Sequence, residues 1–81
     1  MKKYLVSTTT HALPDGRQID NWAGDYVDAL TAEDAATDAA NWEMYLLRED
    51  GAHHIELVGK SIFYRDESGA EFYREIQVDE V

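Results

Sequence analysis

The chain has 81 residues, with 17 acidic against 7 basic side chains, a formal charge of −10, three histidines and no cysteine. This length holds one domain with a modest core, and the lack of cysteine excludes disulfide staples and thiolate metal sites, as suits a reducing compartment. A hydrophobic content of 44% with five Gly and one Pro argues against disorder, and the charge argues against nucleic acid or anionic lipid as a direct partner while favouring basic protein surfaces.

The opening Met1-Lys2-Lys3-Tyr4-Leu5-Val6 is broken at once by Ser7 to Thr10, short of the ~7–15 apolar residues of a signal peptide. No stretch approaches the ~20 apolar residues of a membrane span. The expectation is a single domain over residues 1–81, cytoplasmic and off the membrane.

Lys2 to Thr9 reads as a strand, Tyr4, Val6 and Thr8 alternating with Leu5 and Ser7. Leu13-Pro14-Asp15-Gly16 predicts a hairpin turn with Pro at its second position. Gln18 to Leu30 then reads as extended, with Gly24 as a bulge or bend. Thr31 is placed to cap a helix that carries Glu33 and Asp34 in its first turn. Ala32, Ala35, Ala36, Ala39 and Ala40 recur at helical spacing, flanked by Trp42, Leu46 and Leu47. Asp50-Gly51 supplies the stop. Glu43 falls within the apolar stripe, so the helix bends or ends near Asn41, or Glu43 reaches solvent or a basic partner.

The rest reads as β: a strand around Ile55 and Leu57, a turn over Val58 to Ser61, a strand opening at Ile62, a turn at Asp66 to Gly69, and a last strand over Glu71–Val78. The order β-β-α-β-β-β predicts an α+β fold, one alanine-rich helix packed on an antiparallel sheet of four to five strands.

No catalytic constellation emerges. His53, His54 and Glu56 resemble metal ligands, but strand alternation turns His53 away from the other two, and only His11 remains to join them. Ser7 to His11 lack a nucleophile elbow or an oxyanion loop, and the abundance of carboxylates leaves no distinct acid/base pair. The reading is non-enzymatic, with no cofactor and no metal.

The interval between Arg17 and Arg48 holds Asp20, Asp25, Asp28, Glu33, Asp34, Asp38 and Glu43 without one Lys or Arg. On the helix, Asp34, Asp38, Asn41, Tyr45 and Glu49 are spaced to lie opposite the alanines. Asp34 and Asp38 at i, i+4 repel each other, and no lysine is interleaved. The plain reading of this face is solvation of an acidic protein; the sharper one is a binding surface.

An 81-residue cysteine-free acidic chain with this strand, alanine-rich helix and closing strands bearing Phe63-Tyr64 and Phe72-Tyr73 resembles the small proteins that phages and mobile elements encode against host defence, anti-CRISPR proteins in particular. The resemblance implies an inhibitor that occupies a basic nucleic-acid-binding site by DNA mimicry. The expected partner contacts are Asp25, Asp28, Glu33, Asp34, Asp38, Glu49 and Asp50, with Trp22 and Tyr45 as aromatic anchors. The alternative is a small phage or bacterial interaction subunit, in homodimeric form or not, whose charge serves solubility only.

Overall fold

The computed structural model describes residues Met1–Val81. The elements follow in the order β1 (Lys2–Ala12), β2 (Gln18–Ala29), α1 (Ala32–Glu49), β3 (His53–Val58), β4 (Ser61–Arg65) and β5 (Glu71–Glu80). The strands form one five-stranded antiparallel sheet in the order β2-β1-β5-β4-β3. Because α1 links the two edge strands β2 and β3, it crosses one face of the sheet from edge to edge. The fold is α+β, as the sequence predicts.

Residues of β1 at even numbers point under the helix: Tyr4, Val6, Thr8 and Thr10 are buried while their neighbours are not. Val6, Ile62, Tyr64 and Ile76 of the sheet meet Ala39, Ala40 and Leu47 of α1 in the main core, and Tyr4, Ala29 and Ala35 form a smaller one. Four alanines, at 35, 36, 39 and 40, are the buried small residues of α1; without side-chain bulk between them, helix and sheet backbones approach closely. The opposite sheet face has no covering layer. It carries a ladder in which the His11 and Tyr73 rings stack at 4.6 Å and Phe63 and Tyr73 at 5.5 Å.

The helix ends are set locally. Thr31 is extended (φ −138°), and its Oγ1 accepts a hydrogen bond from the Asp34 N–H at 3.1 Å, satisfying one orphan donor of the first turn. Thr31→Ala is therefore expected to cost about 1 kcal/mol, a fall in Tm of about 4–8 °C in a domain of this size, with Thr31→Ser restoring most of it in a thermal melt. At the other end the Ala52 N–H donates to Leu47 O at 2.9 Å and the Gly51 N–H to Arg48 O at 3.1 Å. This is a Schellman closure, and it requires the left-handed φ of 91° at Gly51.

Several boundaries differ from expectation. β1 runs three residues beyond Thr9, because His11 and Ala12 still pair with Tyr73 and Phe72. Its hairpin with β2 closes through the Gly16 N–H on Ala12 O at 2.8 Å, and the Leu13–Pro14 bond is cis. β5 extends past Val78 to Glu80, held by β1 and by a Lys2–Glu80 ion pair at 3.2 Å. The β4–β5 turn is built on Asp66, whose Oδ1 accepts from the Ser68 hydroxyl at 2.6 Å, the Ser68 N–H at 2.9 Å and the Ala70 N–H at 3.1 Å. The Ser68 hydroxyl, and after it the backbone donors, hold the Asp66 carboxyl below its ordinary value of 3.8. The turn is thus supported above that pH and loses the support as the pH falls through the lower native value.

Candidate protein-binding surface

All nine residues expected at the partner surface are exposed: Trp22, Asp25, Asp28, Glu33, Asp34, Asp38, Tyr45, Glu49 and Asp50. They do not form a single cluster. Asp28 at the end of β2 joins Asp34 and Asp38 of α1 around one shallow recess of about 260 Å³, with Glu33 on the adjacent first turn. Asp25 lies further back along β2, on the wall of a separate groove. Glu49 and Asp50 sit at the far end of α1, roughly 22 Å from Asp34 at 1.5 Å per residue.

None of these carboxylates is neutralised within the chain. The four ion pairs are Lys2–Glu80, His11–Glu75, Arg65–Glu71 and Arg74–Glu43. Lys3 is in register with Asp28, and its ammonium lies over the Tyr26 ring at 5.9 Å; Met1 lines the recess, but its terminal ammonium enters no ion pair. The acids of β2 and of the outer face of α1 therefore present their charge to solvent without internal compensation.

Glu43 is the exception within the acidic interval. Its place in the apolar stripe puts it under the helix, where Arg74 Nη1 donates to Oε2 at 2.8 Å. Arg74 Nε donates to Thr10 Oγ1 at 3.0 Å, and its guanidinium lies 5.8 Å from the Tyr64 ring centre. Burial pushes the Tyr64 hydroxyl up from its ordinary value, with Arg74 pulling the other way. Of the three outcomes open to Glu43 in the sequence, the basic partner is the one realised, and α1 continues unbroken to Glu49.

The groove beside Asp25 lies between β2 and α1. The backbone kinks there: Leu5 pairs with Tyr26 and Ser7 with Ala23, leaving Gly24 and Asp25 opposite Val6. This is the bulge expected at Gly24. A Cβ on Gly24 would stand 2.2 Å from the Trp22 ring, so glycine is what lets that ring fold back over the strand. Trp22 forms one wall and Trp42 the other, at 45% and 59% exposure. Trp42 stacks in turn on Tyr45, which is 48% exposed, at 5.5 Å. Reasoning from sequence places Trp42 beside the apolar stripe and does not single out Asp20 or Trp42 as surface contacts. The spacing alone could not have separated it: seven residues after the buried Ala35, Trp42 lies about 20° from that residue, at the margin of the buried face.

The paired histidines behave differently from a regular strand. His54 adopts φ 55°, the register shifts between His53 and Glu56, and the two Nδ1 atoms lie 2.8 Å apart. The expected alternation, with His53 facing away, is lost at this irregularity. No group of three or more His, Asp or Glu side chains is arranged to hold a metal ion. Chelator is expected to leave the melting temperature unchanged, and addition of Zn²⁺ not to raise it; a stoichiometric metal in purified protein would contradict this.

No helix is long and apolar enough to cross a membrane. In comparisons with known proteins, no family model matches the chain, and no curated protein or solved structure is significantly similar to it.

Proposed function

We propose that this protein is a non-enzymatic binding inhibitor whose acidic surface occupies the basic nucleic-acid-binding site of a host defence complex, in the manner of an anti-CRISPR protein acting as a DNA mimic. The observation that carries the reading is the uncompensated acid of β2 and α1: Asp25, Asp28, Glu33, Asp34 and Asp38 are exposed and none enters an ion pair. Duplex DNA presents one charge per ~1.7 Å of axis. The β2–α1 corner sets three carboxylates about one recess, and a rigid helix fixes two of them at one-turn spacing.

Such charge density destabilises the free protein through self-repulsion, and docking on an Arg/Lys-lined channel relieves it. Glu49 and Asp50 serve as a second contact, at the far end of α1. The test is capture of the target from a host lysate on immobilised protein, followed by affinity measurement as salt is raised. Affinity is expected to fall steeply between about 50 and 200 mM salt, as it does for protein–DNA complexes. Binding that is indifferent to salt over this range would point to an apolar interface and overturn the mimic reading.

A further inference from the structure

The groove between Trp22 and Trp42 differs from the rest of the acidic surface because its lining combines two aromatic rings with a buried carboxylate. It measures about 380 Å³, within the ~300–1,000 Å³ range of ligand clefts. Asp20 and Asp25 stand on the β2 side, and Glu43 and Arg74 on the floor. The Glu43 side chain is only 9% exposed, and its single hydrogen bond uses Oε2. No fully buried side-chain oxygen of the protein lacks a partner, so Oε1, which has no protein partner, keeps access to solvent, and Glu43 lines the groove. A carboxylate nine-tenths removed from water, with one oxygen lacking a protein partner and its residue lining a cleft, can take a donor from outside.

We propose that this groove is the receptor for one arginine side chain of the basic partner. The inference rests on the acidic-surface reading above and specifies its anchor point. The chemistry selects the occupant. Arg74 neutralises Glu43 only, so Asp20 and Asp25 leave the groove net negative, which rejects phosphate and carboxylate ligands. Two exposed indoles line the groove, and indole faces attract a cation and favour a flat, weakly hydrated one. A guanidinium carries five donors in a planar fork and stacks while it bonds a carboxylate through two parallel N–H groups; an ammonium lacks that fork. The arginine therefore enters between the indoles, bonds Asp25, and directs a remaining N–H toward Glu43 Oε1.

Octa-arginine and octa-lysine peptides of equal charge separate this anchor from general acidic attraction. The chain has two tryptophans, so its intrinsic fluorescence reports directly on the groove. Octa-arginine is expected to shift that fluorescence in a saturable way and to bind about tenfold more tightly than octa-lysine at 50 mM salt. Asp25→Asn and Trp42→Leu should each remove this preference while leaving the circular dichroism spectrum intact. Glu56→Gln, on the far edge strand and equal in charge change to Asp25→Asn, should leave the preference unaltered. Equal binding of the two peptides with unmoved fluorescence would overturn the arginine anchor and leave acidic-surface docking standing. An arginine preference that survives both groove variants would overturn it as well. Failure of the wider reading looks different: neither peptide binds, or Asp34→Lys with Asp38→Lys weakens neither.

Discussion

Converting Asp34 and Asp38 together to Lys is expected to abolish binding to the basic target proposed above while the domain stays folded. Both side chains are exposed on the outer face of α1 and share a recess with Asp28, so each reversal turns an attraction across the interface into a repulsion. Charge pairs at such contacts couple by about 1.5 kcal/mol or more, which for two sites amounts to at least a hundredfold. The effect on folding is far smaller. The i, i+4 repulsion of a few tenths of a kcal/mol persists between the two lysines, and a cation in the first turn costs about 0.3–1 kcal/mol against the helix dipole. The matched control is Glu56→Lys with Asp79→Lys, equal in charge change; Glu56 lies on the far edge strand, and Asp79 on the sheet face turned away from α1. Affinity measured by titration calorimetry should collapse for the first pair and fall modestly for the second. Equal losses would mean that net charge alone governs docking.

The largest effect on stability is expected from Arg74→Met. Glu43 is among the few buried charged or polar residues, and Arg74 is its only partner. Stripping one member from a buried ion pair typically costs 3–5 kcal/mol, because the remaining charge is left without compensation. In a domain of this size each kcal/mol corresponds to about 4–8 °C, so Arg74→Met should lower Tm by more than 12 °C. Replacing both members, as Arg74→Met with Glu43→Leu, should return most of that loss, since an apolar pair of similar volume is often neutral or better. Thermal and urea unfolding of the single and double variants completes the cycle. A single variant that melts within a few degrees of the parent would show that water, reaching Glu43 through the groove, already compensates it.

What the sequence reveals here is what chain neighbours decide among themselves. Thr31 caps α1, Gly51 reverses its last turn and Gly24 kinks β2 because each acts within four residues of its own position. The alternation Tyr4, Val6, Thr8 and the alanine spacing likewise expose which faces are buried. Long-range pairing has no such local imprint. Nothing in Glu43 points to Arg74, 31 residues on, and nothing in Trp22 points to Trp42; both meetings depend on where α1 crosses the sheet. Asp28 joins Asp34 and Asp38 only through the tight corner at Leu30 and Thr31, so the acidic surface was legible as charge and illegible as shape. His54 shows the converse: a left-handed backbone at a residue with no glycine to announce it.

The central pairing of β1 with β5 governs how this protein comes into being. The neighbouring strands β1 and β5 are the first and last of this sheet in chain order, so β1 and its hairpin partner have no neighbour on their inner edge until β5 arrives. Contacts spanning nearly the full chain make folding slower than in helical bundles of similar size. Until β5 closes the seam, Val6, Thr8 and Ile62 stand over an unfinished floor, with unpaired strand edges exposed to other chains. The acidic charge bears on this interval through self-repulsion. Mutual repulsion keeps half-built copies apart during the interval in which each is most prone to join another.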